Sequence, residues 1–274
     1  MKTSRQAVAD AAQRLRGEYA ARDAELLLMH ALGVTRASLL ANPARELTTQ
    51  EQEKFSAMVA ERATGKPIQY ITGVQEFYGL AFAVTPDVLI PRPETEHLVE
   101  AVLARLPKDR AVMIADVGTG SGAIAVALAH ALPRAQMTAL DISQAALNIA
   151  ARNAKAHGVD ARVKFVESDL LGACAGESFD AIVSNPPYIA NDEVLELQVR
   201  EFEPSLALFA GSTGYEVYER LIAQTWSALH ADGLLAMEIG FGQRERIAEL
   251  LAAWKSVEFV DDLQGIPRVV LARR

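Results

Sequence analysis

Four consecutive residues in the second half of the chain combine a carboxamide, two prolines and an aromatic ring. They are Asn185, Pro186, Pro187 and Tyr188. The prolines hold the backbone extended and remove two N–H donors, so carbonyl groups stay free as acceptors. The Asn185 carboxamide both donates and accepts hydrogen bonds, and the Tyr188 ring offers a flat face for stacking. This combination predicts a socket for a planar group bearing an NH2; a kinked strand exit is the structural alternative.

A loop with three alternating glycines, Gly118, Gly120 and Gly122, follows an apolar run that is typical of a buried strand. Glycine lets the backbone turn sharply and approach a ligand closely, and open α/β sheets bind ligands at the carboxyl ends of their strands. We therefore expect the loop, including Thr119 and Ser121, to bind a cofactor. A tight strand-to-helix turn and a dinucleotide site stay open as alternatives, because the spacing also satisfies G-x-G-x-x-(G/A).

A carboxylate, Asp141, closes the next predicted strand and can accept both hydroxyls of a ribose. NAD and S-adenosylmethionine both carry a ribose, so Asp141 does not separate them. Its structural alternative is a helix cap, a role for which Ser143 is already placed. The predicted socket does separate the two cofactors. Hydride transfer has no use for a site that holds a planar amine, so the sequence favours methyl transfer.

The elements that position these groups lie after residue 111, where strands and helices alternate. Apolar runs typical of buried parallel strands cover 112–117, 136–141, 162–167, 181–184 and 234–239. Helical segments cover 124–131, 143–157, 215–230 and 244–254. The runs at 257–260 and 269–271 are joined by a loop too short for a helix, so we expect them to pair antiparallel. The predicted fold class is α/β: a Rossmann-like, doubly wound sheet of seven strands with one antiparallel strand.

The chain before residue 93 has a different character. Residues 1–75 are predicted to form a small helical N-terminal domain, in which Thr48 and Glu51 fit a capping box at a helix start. Residues 76–92 are aromatic and alternating, which predicts a hairpin linker. The catalytic domain then comprises residues 93–274.

Composition narrows the classes of partner and compartment. The 274 residues carry a net charge of −8, which argues against nucleic acid as the main partner because duplex binding needs many lysines and arginines. The single cysteine, Cys174, excludes an internal disulfide and fits a reducing cytoplasm. Apolar runs are too short for a signal peptide or a membrane span, so we expect a soluble, cytoplasmic protein. The five histidines lack paired metal-ligand spacing, and no metal is assigned.

The glycine loop followed by Asn-Pro-Pro-Tyr resembles the amino-methyltransferases of the class I fold. Among these, the chain is similar to the release-factor glutamine methyltransferases, the PrmC/HemK family, over nearly its whole length. The segments that carry the resemblance are 23–28, 76–79, 91–96, 116–125, 185–189, 201–204 and 262–269. The chain departs from the family at Ala210, Thr213 and Tyr215, where Gly, Asp and Leu are usual. It departs also at Leu170, where many relatives place an aromatic residue beside adenine.

The resemblance implies S-adenosyl-L-methionine as the cofactor and S-adenosyl-L-homocysteine as the product. It implies that the glycine loop wraps the methionine part and that Asp141 binds the ribose. Asp169 and Leu170 are placed to meet the adenine, although Asp169 is equally well an ordinary acid at a strand end. Asn185 is expected to lie beside the cofactor as well as in the socket.

The substrate that the resemblance implies is the glutamine of the Gly-Gly-Gln loop in class I peptide-chain release factors, methylated on its side-chain N5, which modulates translation termination. Our hypothesis is that the Asn185 oxygen and the Pro186 carbonyl accept the two N–H bonds of that amide. Tyr188 would pack on the amide plane, with Pro187 completing the socket. The N-terminal domain is either the docking surface for the release factor or a stabilising cap, and we expect a monomer.

Four further residues are expected to border the active site and bind substrate: Phe77, Arg92, Pro93 and Glu94. A purely structural hairpin and helix start is the alternative. Rival functions are a glutamine methyltransferase for a ribosomal protein, an adenine-N6 or guanine-N2 nucleic-acid methyltransferase, a cofactor-binding module without activity, and a dehydrogenase. Residues 91–95 resemble the release-factor branch more closely than the ribosomal one.

Overall fold

The computed structural model describes residues 2–15 and 17–274, which form two units. The units comprise Met1–Gly73 with Glu196–Phe202, and Val74–Leu195 with Glu203–Arg274. The helices are α1 (Ser4–Leu15), α2 (Ala20–Leu32), α3 (Arg36–Ala41), α4 (Thr49–Ala63), α5 (Ile68–Thr72), α6 (Glu96–Leu103), α7 (Ala123–Ala131), α8 (Gln144–Ala156), α9 (Leu197–Phe202), α10 (Glu216–Ala228) and α11 (Arg244–Leu250). The strands are β1 (Val74–Phe77), β2 (Leu80–Ala83), β3 (Met113–Val117), β4 (Gln136–Asp141), β5 (Val163–Glu167), β6 (Phe179–Ser184), β7 (Ile189–Ala190), β8 (Phe209–Gly211), β9 (Leu229–Glu238), β10 (Ser256–Asp261) and β11 (Pro267–Arg273).

The first unit is helical and contains α1 to α5 together with α9. Its α4 begins at the predicted capping box: Thr48 Oγ1 accepts from the Glu51 N–H at 3.2 Å, and Glu51 Oε2 accepts from the Thr48 N–H at 2.9 Å. Buried leucines of α2 and Phe55 of α4 form its core. The late helix α9 joins this unit through Gln198, whose Oε1 accepts from Arg62 Nη1 at 3.1 Å. Within the described part of the chain, no helix is long and apolar enough to cross a membrane.

The central sheet of the second unit has seven strands in the order β10-β11-β9-β6-β3-β4-β5. Strands β9, β6, β3, β4 and β5 are parallel, and β11 runs antiparallel to both of its neighbours. This confirms the predicted fold class and the antiparallel pairing of the last two strands. The strand order reverses between β3 and β6, and doubly wound sheets bind ligands beyond the carboxyl ends of strands at such a switch point.

Both faces of this sheet are buried, which explains why its strands are continuous apolar runs. Ile114 of β3 packs in a cluster with Leu98 of α6. Ala115 and Val117 of the same strand pack in a second cluster with Leu221 of α10. Full burial of one such large apolar side chain contributes about 1.5–3 kcal/mol. The two apolar layers therefore fix the strand ends from which the candidate site is built.

Several elements differ from the sequence prediction. Strand β9 begins at Leu229 rather than at residue 234, because Leu229 pairs with Phe179 of β6 although residues 230–232 are exposed. Helix α11 ends at Leu250, four residues before the predicted end. The short parallel pair β7 and β8 was not predicted, since two or three residues are too few to show a period of two.

A hairpin of β1 and β2 precedes the sheet, as predicted. Phe77 pairs with Leu80, and the turn residues Tyr78 and Gly79 have φ values of 52° and 72°. Two consecutive positive φ values are typical of the tight turn whose twist matches that of the flanking strands. The hairpin starts at Val74, two residues before the predicted start of the hairpin linker at residue 76.

Candidate functional site

A pocket of about 280 Å³ opens at the switch point, beyond the carboxyl ends of β3, β4, β5 and β6. Seven of the predicted site residues line it: Gly118, Gly120, Asp141, Asp169, Leu170, Asn185 and Pro187. Apolar side chains such as Ile142 and Leu206 line it too. We call this space the cofactor pocket. The glycine loop, residues 118–122, forms one wall, and residues 185–188, which we call the amide socket, begin on another.

The glycine loop is shaped by its own backbone. The N–H groups of Gly118 and Thr119 both donate to the Leu140 carbonyl, at 2.8 and 2.9 Å. Gly118 and Gly120 have positive φ, and a Cβ at either position would meet no other atom within 4 Å. At Gly122, by contrast, a Cβ would lie 3.0 Å from the Ala150 Cβ. The first two glycines thus leave open space at the pocket, and the third lets α7 and α8 pack closely.

Thr119 and Ser121, although predicted to bind cofactor, are buried and do not line the pocket. Thr119 Oγ1 donates to Asp116 Oδ2 at 2.7 Å, and the Ser121 carbonyl accepts from Asn153 Nδ2 at 2.8 Å. The Thr119 side chain and the Ser121 carbonyl therefore brace the loop from behind. Among the residues that the structure describes, Asp116 Oδ1 has no hydrogen-bond partner, and burial raises the pKa of the Asp116 carboxyl to about 7.

Asp141 presents a half-buried carboxylate to the pocket at the end of β4. Its Oδ2 accepts from the Gly120 N–H at 2.8 Å and its Oδ1 accepts from the Ser143 N–H at 2.9 Å. Each carboxylate oxygen still has a free lone pair, so both can accept a ribose hydroxyl. Helix α8 is capped by Ser143, whose Oγ accepts from the Ala146 N–H at 3.2 Å, as predicted.

Asp169 and Leu170 lie at the pocket rim after β5. The exposed Asp169 carboxylate pairs with Arg220 at 2.5 Å. Leu170 has φ of 52°, a conformation that costs a residue with a Cβ on the order of 1 kcal/mol and persists only where the surroundings enforce it. The next residue, Leu171, is fixed through its N–H, which donates to Gln224 Oε1 at 2.9 Å. This strained turn holds the Leu170 side chain at the pocket.

These residues fit an adenosine-containing cofactor. The pocket has an acceptor pair for a ribose in Asp141, an apolar side chain at Leu170 for a flat base, and an open backbone at Gly118 and Gly120. Among the described residues, no group of three or more His, Cys, Asp or Glu side chains is placed to hold a metal ion.

The amide socket begins where β6 ends. Ser184 Oγ donates to the Val117 carbonyl at 2.6 Å, which ties the carboxyl end of β6 to that of β3 and hence to the glycine loop. Pro186 is buried, whereas Asn185 and Pro187 line the cofactor pocket. The socket and the glycine loop therefore open onto one shared space.

The Asn185 carboxamide is held by two residues that the sequence analysis did not single out, Thr95 and Glu238. Asn185 Nδ2 donates to Thr95 Oγ1 at 3.0 Å, and Thr95 Oγ1 donates to Glu238 Oε2 at 2.6 Å. Thr95 and Glu238 are both buried. A signal for Glu238 was present, because it is a single acid within the apolar run at 234–239. Thr95 lies inside the segment 91–96 that carries the family resemblance.

Tyr188 is clamped at the other end of the amide socket. Its carbonyl accepts from Gln243 Nε2 at 3.0 Å, and the Gln243 Oε1 accepts from the Gly240 N–H at 2.9 Å. A Cβ at Gly240 would lie 3.0 Å from the Tyr188 ring, so glycine is needed for this approach. Burial, followed by the negative charge of Glu238, raises the pKa of Tyr188 to about 12. The phenol is therefore neutral at physiological pH.

The four residues predicted to border the active site separate into two groups. Arg92 pairs with the fully buried carboxylate of Glu203, while Pro93 and Glu94 are exposed at the start of a short 3-10 helix that leads into α6. Phe77 lies wholly inside the core, 6.0 Å from the Phe82 ring, and has no exposed surface. Its side chain thus serves the hairpin and offers nothing to a substrate. The structural alternative therefore holds for Phe77, because the alternating run places its ring on the buried face of the hairpin.

Two protein-family models match the chain. The model of the PrmC N-terminal domain matches residues 6–73, and that of the methyltransferase small domain matches residues 95–203. The release factor glutamine methyltransferase of Koribacter versatilis is 49% identical over 254 residues, which are 92% of this chain and 90% of that protein. The release factor glutamine methyltransferase of Moorella thermoacetica is 44% identical over 280 residues, which are 99% of each.

Solved structures share the fold. A methyltransferase from Pyrococcus furiosus matches with a TM-score of 0.55 and 16% identity over 80% of this chain and 98% of that chain. A 16S rRNA N2 methyltransferase from T. Thermophilus, in complex with AdoMet and guanosine, matches with a TM-score of 0.55 and 18% identity over 73% of this chain and 49% of that chain. At these identities the likeness concerns the fold alone.

Proposed function

This chain belongs to the release factor glutamine methyltransferase family, and on that premise we propose that it methylates the side-chain amide nitrogen, N5, of a release-factor glutamine. It is an S-adenosylmethionine-dependent methyltransferase. The proposed target is the glutamine of the Gly-Gly-Gln loop in class I release factors, whose modification modulates translation termination. The family resemblance stated for the sequence supports this choice of target.

The observation that carries the proposal is the orientation of Asn185. Its NH2 is engaged by Thr95, so its Oδ1 is left as an acceptor in a residue that lines the cofactor pocket. An acceptor in this place suits a substrate group with N–H bonds to offer. The backbone carbonyl of Pro186, a residue without an N–H, is a second acceptor in the amide socket.

An amide nitrogen is a poor nucleophile because its lone pair is delocalised into the carbonyl group. In our proposal, Asn185 Oδ1 and the Pro186 carbonyl each accept one N–H bond of the substrate amide, which favours a pyramidal nitrogen with its lone pair aimed into the cofactor pocket. The neutral Tyr188 ring packs on the amide plane. When bound, S-adenosylmethionine supplies an electrophilic methyl group. The amide nitrogen held by Asn185 and Pro186 would take that methyl group from sulfur, leaving S-adenosylhomocysteine, and would release one N–H proton to water.

Positioning is the main contribution that these residues make. Holding two reactants in line is worth on the order of 7–11 kcal/mol in well-oriented systems. The pKa of Tyr188, raised to about 12, excludes it as a general base near neutral pH. The proposed mechanism accordingly uses acceptors in fixed places and no deprotonation of the amide before transfer.

We further propose that the helical N-terminal unit recognises the release factor, and that the enzyme acts as a cytoplasmic monomer on protein rather than nucleic acid. The net charge of −8 supports a protein substrate. Exposed apolar side chains of this unit, Tyr19 and Leu40, offer a test. Substituting both with glutamate should raise KM for the intact release factor and leave KM for a short Gly-Gly-Gln peptide unchanged. Equal effects on both substrates would refute docking.

The defining experiment is mass spectrometry of a class I release factor after incubation with this protein and S-adenosylmethionine. We expect a gain of one methyl group on the Gly-Gly-Gln glutamine, and no gain with the Asn185→Ala variant. A methyl group found on a ribosomal-protein glutamine instead would show that the same reaction acts on a different substrate protein. Methylation of a nucleic-acid base amine, with no protein modified, would overturn the proposal.

A further inference from the structure

We propose that Thr95 and Glu238 are positioning residues that hold the Asn185 carboxamide with its oxygen, rather than its NH2, facing the substrate amide. This inference rests on the proposed function, because it assigns a purpose to the orientation of Asn185 in that reaction. It adds two residues outside the amide socket to the machinery.

The number of hydrogens that each group can donate fixes the direction of these hydrogen bonds. A threonine hydroxyl has one hydrogen, and a carboxylate has none. Thr95 Oγ1 lies 2.6 Å from Glu238 Oε2, so the hydroxyl hydrogen is committed to the carboxylate. The remaining lone pairs of Thr95 Oγ1 can only accept, and the Asn185 atom 3.0 Å away must therefore be the donor nitrogen.

Burial keeps the hydrogen bond between Asn185 and Thr95 from reversing its direction. Thr95 is 5% exposed and Glu238 is 3% exposed, which leaves little room for water to replace either partner. If the carboxamide were flipped, Asn185 Oδ1 would face the Thr95 oxygen with no hydrogen between them. Losing a buried hydrogen bond in this way disfavours the flipped form by roughly tenfold to a hundredfold.

The fold brings the three residues together from distant parts of the chain. Ser184 pairs with Met237 in the parallel ladder of β6 and β9, so the residues that follow each, Asn185 and Glu238, emerge side by side. Thr95 enters from the 3-10 helix before α6, where a tight turn begins at Pro93. We call the two hydrogen bonds that join Glu238, Thr95 and Asn185 the relay. The relay is supported by the sheet register on one side and by the start of a helix on the other.

The charge state of Glu238 decides whether the relay keeps its direction. Burial raises the pKa of Glu238 to about 7. As a carboxylate it only accepts; once protonated it can donate to Thr95, which frees the Thr95 hydrogen for Asn185 Oδ1 and lets the carboxamide flip. The charged or titratable groups that surround it are Arg92 and Glu94 before α6, Tyr188 in the socket, Tyr218 of α10 and Arg268 of β11.

The pH dependence of the relay follows from the charge of Glu238. The relay is set above a pH of about 7 and is lost as the pH falls through that value. The rate of methyl transfer should fall on the acid side accordingly, while affinity for S-adenosylmethionine stays constant, because the relay bears on the substrate amide.

The test compares the wild-type enzyme with Thr95→Ser, Thr95→Val and Glu238→Gln between pH 6 and 9, using intact release factor. We expect Thr95→Ser to match wild type, because it keeps the hydroxyl. Thr95→Val should lower kcat at least about twofold, because without the relay the two orientations of the Asn185 carboxamide become equally populated. Glu238→Gln should abolish the acid limb near pH 7, because the amide does not titrate, with a plateau between those of wild type and Thr95→Val.

A matched control is available in α10. Thr225 is also buried, but its Oγ1 has no hydrogen-bond partner in the described part of the chain. Thr225→Val therefore removes a buried hydroxyl of the same kind without breaking a relay, and it should leave kcat unchanged. A loss of rate equal to that of Thr95→Val would show that burial of a hydroxyl, and not the relay, is what matters.

A second readout is independent of turnover. The side-chain NH2 protons of Asn185, assigned by comparison with Asn185→Ala, should exchange slowly with water in wild type and in Thr95→Ser, and quickly in Thr95→Val. An inactive wild type with protected protons would refute the proposed function and keep the relay. Active wild type and Thr95→Val with equal rates and equal exchange would overturn the relay. If Thr95→Val fails to fold, the pH profile of Glu238→Gln decides: an unchanged acid limb overturns the proposal.

Discussion

The glycine loop is held by residues that lie close to it in the sequence, whereas the amide socket is held by side chains from distant parts of the chain. In the loop, Gly118 and Thr119 donate main-chain N–H groups to Leu140. In the socket, Thr95 holds Asn185 and Gln243 holds Tyr188. A socket held by side chains is sensitive to single substitutions that leave the fold intact.

The strongest test of this contrast is removal of the Asn185 carboxamide. We expect Asn185→Ala to lower kcat roughly 100- to 1,000-fold, the usual effect of deleting one preorganised hydrogen-bonding group at a reacting centre. Affinity for S-adenosylmethionine, measured by calorimetry, should change little. Asn148→Ala, an exposed change on α8, is the control. If Asn185→Ala weakened cofactor binding and rate together, the socket and the loop would not be separate devices.

Adding a side chain to the glycine loop should lower the free energy of unfolding. Gly122→Ala places a Cβ 3.0 Å from Ala150 and puts it at a φ of 80°, so we expect a loss of about 1–3 kcal/mol in the free energy of unfolding. Gly158→Ala is the matched control, because Gly158 also has positive φ but has no atom within 4 Å of the added Cβ. Urea unfolding measures both. Equal losses in the two variants would mean that packing at Gly122 is unimportant.

A smaller effect is expected at the other end of the socket. Gln243→Glu keeps the acceptor for the Gly240 N–H but replaces the donor to the Tyr188 carbonyl with a negative oxygen. The loss of one hydrogen bond should lower kcat by about tenfold and leave the melting temperature nearly unchanged. Gln136→Glu, an exposed change at the amino end of β4, should leave kcat unaffected. An unimpaired Gln243→Glu enzyme would show that Tyr188 needs no clamp.

The smallest effect concerns the pH dependence of stability behind the glycine loop. Burial raises the pKa of Asp116 from 3.8 to about 7, so the folded protein holds a proton that the unfolded chain has already released between these values. Stability should therefore fall as the pH rises from about 4 to about 7, and Glu238 acts in the same direction. Asp116→Asn should flatten this slope in melting temperatures measured across that range. An unchanged slope would mean that Asp116 is ionised when folded.

Sequence patterns predicted the loop side of the site better than the socket side, for a physical reason. The contacts of the loop are local: Thr119 bonds to Asp116 three positions away, and Gly120 bonds to Asp141 twenty-one positions away. Such contacts follow from one strand–loop–helix pattern and the strand beside it. The sheet class and the edge at which the loop and socket meet could be predicted in the same way.

The relay behind Asn185 could not be predicted from patterns alone. Asn185 and Thr95 are 90 positions apart, and Thr95 and Glu238 are 143 apart. Their meeting depends on the register of β6 against β9 and on how the 3-10 helix enters, and periodicity fixes neither. Phe77 shows the converse limit, because an aromatic residue in a segment of family resemblance proved to be core.

The assignment of α9 to the first unit has a consequence for how the protein is made. Residues 74–195 leave the ribosome before Glu196–Phe202, so the N-terminal helices emerge without the last element of their own unit. Domains generally fold as units, in order, during synthesis. Here the bond between Arg62 and Gln198 forms only after most of the sheet has been translated. Completion of the N-terminal helical unit is thereby timed to follow synthesis of β3 to β6, the strands that carry the glycine loop and the amide socket.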